Sequence, residues 1–210
     1  MLWHVDNVKV LCVKKIGVTK LLACLNKIYG EKIVAQRGGT GDYLGMNLDF
    51  GEAGVFKVDM IDYIKKVIEE FPEEIKGSSP TPHADHLFKI RDKEDARYLP
   101  EEQAQQFHRT TAQLLFLQCR ARRDIQAAVA FLTTRVGHLD EDDWGKLKRV
   151  LKYLKGTLYL KLRITVDNLS SSQWSIDALR GVHCNCKGQT GAGMTLGRGA
   201  VVSFFPKTEN

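Results

Sequence analysis

Three stretches of helical apolar spacing follow one another between Glu101 and Gly156, and they constrain the fold more than any other feature. Glu101 to Arg120 carries Ala104, Phe107, Thr111, Leu114 and Leu115 on one face. Asp124 to Val136 carries Ile125, Ala128, Val129, Leu132 and Val136. Asp140 to Lys155 carries Trp144, Leu147, Leu151 and Leu154, with Gly156 as its stop. Each face needs a partner, and the short links between the stretches make them partners of one another. The spacing predicts a three-helix bundle over 101–157, the most stable unit of the chain, with Trp144 central in its packing.

The flanks read as β structure. Before the bundle, Val8 to Val13 reads as a strand and Val18 to Tyr29 as a helix stopped by Gly30. Tyr43 to Phe50 and Val55 to Val58 then form a hairpin about Gly51–Gly54, and Ile61 to Phe71 is a short helix ended by Pro72. After the bundle, Leu158 to Ile164, Gln173 to Ala178, Gly191 to Leu196 and Ala200 to Phe205 alternate as strands. Four of the five prolines fall between Pro72 and Pro100, with Gly77-Ser78-Ser79 the expected flexible point of a connector. The expectation is an α+β chain in four parts: 1–71, the connector 72–100, the helices 101–157, and an antiparallel sheet over 158–210.

Composition narrows the setting. The 210 residues hold no run of eighteen apolar side chains, so no membrane span is expected. The first fifteen residues lack a basic stretch followed by an apolar one, which argues against a signal peptide. Five dispersed cysteines suit free thiols in a reducing compartment, and the expected location is intracellular, cytoplasmic or nuclear. His183-Cys184-Asn185-Cys186 lacks the second matched pair that a zinc site needs. The net charge is +6, and twelve Lys and Arg face five Asp and Glu between Arg109 and Arg163. Such a surplus suits a polyanion, but the acidic first turn and basic later turns of the third helix also complement its dipole.

The motifs, taken in order, resemble copia-type retrotransposon polyproteins: the C-terminal part of the reverse transcriptase region running into the start of RNase H. His4-Val5-Asp6-Asn7 falls where that family has its Tyr-Val-Asp-Asp box. Asp42-Tyr43-Leu44-Gly45-Met46, Thr81-Pro82, Phe107-His108 with Ala112 to Leu117, and Arg122-Arg123-Asp124-Ile125 follow in the family's sequence. Lys148-Arg149-Val150-Leu151-Lys152-Tyr153-Leu154-Lys155-Gly156-Thr157 is nearly identical to the family's most specific block. The resemblance implies a partial palm of β-hairpins plus helix and the start of the thumb over 1–71, a thumb- or connection-like bundle over 101–157, and an incomplete RNase H-like antiparallel sheet over 158–210.

It also implies chemistry. Polymerases and RNase H enzymes hold paired Mg²⁺ ions on clustered carboxylates. By the resemblance Asp6 and Asn7 are a degenerate polymerase box, since Asn keeps an oxygen ligand and loses a charge. Asp177, followed by Ala178, stands at the first RNase H carboxylate. Asp6 and Asp177 are thus the candidate metal ligands. The family's other carboxylates fall before and after these 210 residues, as does the N-terminal half of the reverse transcriptase. The expectation is a catalytically inactive fragment with no productively bound Mg²⁺. It would hold an RNA–DNA duplex weakly and without sequence preference through Arg120, Arg122, Arg123, Lys148, Arg149, Lys152 and Lys155. The alternatives are a domesticated nucleic-acid-binding module and a protein-interaction module that uses the bundle.

Overall fold

The computed structural model describes residues 1–5, 7–12, 14–30, 33–92, 94–181 and 187–206. It is an α+β fold of five helices and antiparallel sheets among these residues. A small hairpin, β1 (Leu2–His4) with β2 (Asn7–Lys9), precedes α1 (Lys15–Tyr29). Gly30 ends α1 in the left-handed region at φ 67° and returns its N–H to the Asn26 carbonyl, the stop expected from sequence. No residue of α1 is fully buried, so its apolar face packs only loosely.

Strands β3 (Thr40–Tyr43), β4 (Met46–Asp49), β5 (Val55–Asp59) and β6 (Leu162–Thr165) form one antiparallel sheet in that order. The expected single strand over 43–50 is in fact turned at Leu44-Gly45, both at positive φ. Gly45 suits such a turn, but Leu44 is not a turn-former, and the alternation over 43–50 masks the bend. Of the strand expected at 158–164 only 162–164 forms, within β6, and it pairs with β5 more than a hundred residues earlier, Phe56 opposite Ile164. It therefore belongs to the first sheet and not to the C-terminal one.

Helices α2 (Ile61–Glu69), α3 (Glu101–Arg120), α4 (Gln126–Thr134) and α5 (Glu141–Gly156) build the rest, with a 3-10 turn at Arg123–Ile125 leading into α4. Their starts follow from local chemistry. Pro100 presets the extended backbone before α3, and Glu101 and Glu102 occupy its first turn. Asp140 caps α5 by accepting from the Asp142 and Asp143 N–H groups, while the Asp143 carboxylate accepts from the Asp140 N–H. Phe107, Leu114, Ile125, Val129, Leu132, Leu147 and Leu151 are all fully enclosed, and Trp144 is buried among them. The core does not stop at the bundle. It continues through Ile64 and Val67 of α2 to Val58 and Leu48 of the sheet.

The connector also differs from expectation. Ile75 and Leu87 are buried in the core, Ser79 is buried, and the Lys155 ammonium donates to the Ile75 carbonyl at 2.6 Å. Ser78 lies so close to Gly156 that a methyl group there would approach the Ser78 Cβ to 2.8 Å. The Gly77-Ser78-Ser79 stretch is therefore pinned against the end of α5.

Strands β7 (Gln173–Leu179), β8 (Gln189–Thr195) and β9 (Val202–Phe204) form a separate antiparallel sheet. None of its described residues joins the core. Backbone joints attach it to the body: the Thr165 N–H donates to the Arg198 carbonyl at 2.8 Å, and the Asp167 N–H to the Leu196 carbonyl at 3.0 Å. Gly199, at φ 82°, sits where a Cβ would overlap the Arg163 carbonyl oxygen. Gly199→Ala should release this sheet from β6. The positive φ alone costs an alanine about 1–3 kcal/mol, and the overlap adds to it. Amide exchange should quicken over 189–204 while the helical core keeps its protection. Unchanged exchange in β8 and β9 would show that the joint does not depend on Gly199.

Candidate nucleic-acid interface

Helix α5 sets the geometry of the basic residues. Its apolar stripe faces α3 and α4, which leaves Lys148, Lys152 and Lys155 on the side of the connector. The connector lies against this row. Glu73 takes both Lys148, at 2.5 Å, and the Trp144 indole N–H, at 2.6 Å. These donors hold the Glu73 carboxyl below the ordinary carboxylate range, Lys148 first and Trp144 second. Lys155 is engaged by the Ile75 carbonyl. Arg149 donates to the Thr81 hydroxyl at 2.9 Å, while its Nε is shielded from solvent and has no acceptor. Lys152, half-buried, makes no hydrogen bond or ion pair among the described residues.

The three arginines near the end of α3 have separate jobs. Arg122 is 1% exposed. Its guanidinium grips Asp124 through Nε and Nη2, the latter at 2.7 Å, and donates to the carbonyl and hydroxyl of Thr157. It is a tie between α3, α4 and the end of α5, and it cannot also meet a phosphate. Arg123 donates to the Ser203 hydroxyl and the Val201 carbonyl, both at 2.8 Å, so it fastens the bundle to the C-terminal sheet. Burial lowers its pKa, but a guanidinium stays charged in proteins. Arg120 sits over the Phe116 ring, its guanidinium carbon 3.5 Å from the centroid, and donates to the Phe116 carbonyl.

The two catalytic boxes are not assembled into a site by the described residues. Asp6 lies outside them. Asn7 is exposed and opens β2 opposite His4. Asp177 sits mid-strand in β7 opposite Gly191, and β7 is exposed along its whole length. Among the described residues no three His, Cys, Asp or Glu side chains gather as a metal site. His183, Cys184, Asn185 and Cys186 lie outside the described residues. No helix among the described residues is long and apolar enough to cross a membrane.

Sequence reasoning missed one feature. A cleft of about 620 Å³ opens between the connector and α5, with His83 and His86 on one wall and Gly145, Arg149 and Lys152 on the other. The helical spacing of 145, 149 and 152 was legible, but the wall that faces them was not. In comparisons with known proteins, no family model, no curated protein and no solved structure matches the chain.

Proposed function

We propose that the chain is a segment of a copia-type retrotransposon reverse transcriptase that runs into the start of an RNase H domain. As this chain it acts by holding nucleic acid and not by catalysis. The observation that carries the reading is the ordered motif series, above all the ten residues Lys148 to Thr157. The architecture is compatible with it. An antiparallel sheet with α2 stands for the palm side, the bundle of α3, α4 and α5 for the thumb or connection, and β7–β9 for the RNase H side. In that reading Asp177 lies in the middle of the first strand of the second sheet.

Catalysis by this family needs several carboxylates converging on two metal ions. Asp177 supplies one, on an exposed strand. Asp6 with Asn7 supplies one charge where the family has two. Holding a duplex asks for less: cations near phosphates, with no base readout. Arg149 and Lys152 supply charge not committed to a carboxylate in the described structure.

Fluorescence anisotropy of the full chain with a labelled RNA–DNA duplex tests the reading at two salt concentrations. Binding should fall on the order of 10⁻⁴ to 10⁻⁶ M, with the same affinity for unrelated sequences and a steep loss with salt. Primer extension with Mg²⁺ or Mn²⁺ should not exceed that of Asp6→Ala. Absence of salt-dependent binding, or extension that depends on Asp6, overturns it.

A further inference from the structure

We infer that the cleft between the connector and α5 is a phosphate-binding site, with Arg149 and Lys152 as its cations and Gly145 as its open floor. Three independent observations converge there. The first is the state of the charges. Lys148 is neutralised by Glu73, and Lys146 by Asp142. Glu141 faces Arg97. Arg149 has only a neutral hydroxyl as partner, and Lys152 has none among the described residues. What remains uncommitted on this wall is positive.

The second is the Arg149 Nε, a donor removed from water with no acceptor. A guanidinium donor in that state is costly, and an anionic oxygen relieves the cost best. The third is Gly145. It stands in the interior of α5, where glycine is disfavoured, and a Cβ there would meet nothing within 4 Å. Packing therefore does not require the glycine. Residues 145, 149 and 152 follow one another at helical spacing, so the missing side chain leaves room next to the two cations. Across the gap stand His83 and His86, whose ring N–H groups can complete the contact.

A phosphate is the anion that fits. It offers several acceptor oxygens to a guanidinium fork and an ammonium together, and an open cleft admits it as a free ion, a nucleotide or part of a strand. The nucleotide and strand arms of the test rest on the function proposed above; the inorganic phosphate arm does not.

The test is titration of the full chain by calorimetry with inorganic phosphate, a nucleoside 5′-monophosphate, the matching nucleoside and a short single-stranded oligonucleotide. The phosphate-bearing probes should bind and the nucleoside should not. Two variants read the site separately. Arg149→Gln combined with Lys152→Gln should weaken phosphate binding at least about tenfold. Gly145→Leu puts a side chain on the floor, starting from a Cβ position with nothing within 4 Å, and should weaken it as much while the melting temperature holds or rises. Lys20→Gln, a charge loss on α1, should leave it unchanged. A stronger response to the nucleotide or to the oligonucleotide than to phosphate identifies which source the cleft prefers. Nucleoside binding equal to nucleotide binding, or full phosphate affinity in a folded Gly145→Leu chain, overturns the site. So does a Lys20→Gln loss as large as that of the cleft variants. Phosphate affinity unchanged in both cleft variants overturns only this inference and leaves the proposed function standing.

Discussion

Arg122→Met should destabilise the chain by about 3–5 kcal/mol and leave the salt slope of nucleic-acid binding where it was. The side chain is 1% exposed, and the Asp124 side chain opposite it is 28% exposed. Methionine keeps the bulk and removes the fork. It leaves a half-covered carboxylate and the Thr157 carbonyl without their donors, and losing one partner of a buried pair costs far more than the pair contributes as a whole. The loss is spread over three elements, because Arg122 joins the end of α3, the entry to α4 and the residue after α5. A urea melt measures it. The double variant Arg122→Met/Asp124→Leu should recover part of the loss, since it removes both charges together. Arg122→Lys should not, because an ammonium cannot reach Asp124 and Thr157 at once. A cost under about 1 kcal/mol, or a shallower salt slope, would return Arg122 to the surface as a phosphate contact.

The contrast between Arg122 and its neighbours shows what the sequence could carry. Helix α3 forms over the residues expected of it, and α1 and α5 stop at Gly30 and Gly156, because periodicity and caps act within a few residues. The partner of β6 was out of reach, since a strand's pattern states which face is apolar and not which strand it joins. The connector looked open for the same reason. Ile75 and Leu87 are isolated apolar residues with no period, and only the tertiary packing buries them. The cations of the candidate interface were legible as residues, but their commitments were not. Glu73 is 75 residues from Lys148, and the Ile75 carbonyl is 80 from Lys155. Arg122 did carry one local clue: an aspartate two residues on, at a junction between helices, suits a fork that closes on its own chain.

Trp144→Ala should cost about 3–5 kcal/mol, the range for emptying a buried aromatic site. The indole is 7% exposed and stacks on Phe71 with ring centroids 4.9 Å apart. It therefore joins α5 to the residue just after α2, so its loss opens a cavity on a seam between the bundle and the sheet side. Its N–H adds a second function. By donating to Glu73 at 2.6 Å it helps fix the carboxylate that also takes Lys148, and so holds the connector on α5. The two roles separate by substitution. Trp144→Phe keeps an aromatic ring against Phe71 but removes the donor together with part of the ring volume, and should cost about 1–3 kcal/mol. Glu73→Gln should loosen the connector while the Phe71 contact persists. Urea melts give the totals, and amide exchange over 72–90 reports the connector alone. If Trp144→Ala costs less than about 1 kcal/mol, the seam closes without the indole. If it costs the full amount but exchange over 72–90 does not change, Trp144 is packing only and the connector is held by Lys148 and Lys155. The expected result is both effects together, because one side chain fills the seam and positions the acid that neutralises Lys148. With Lys148 committed in this way, Arg149 and Lys152 are the lysine and arginine of the cleft left without a carboxylate and free to meet a phosphate.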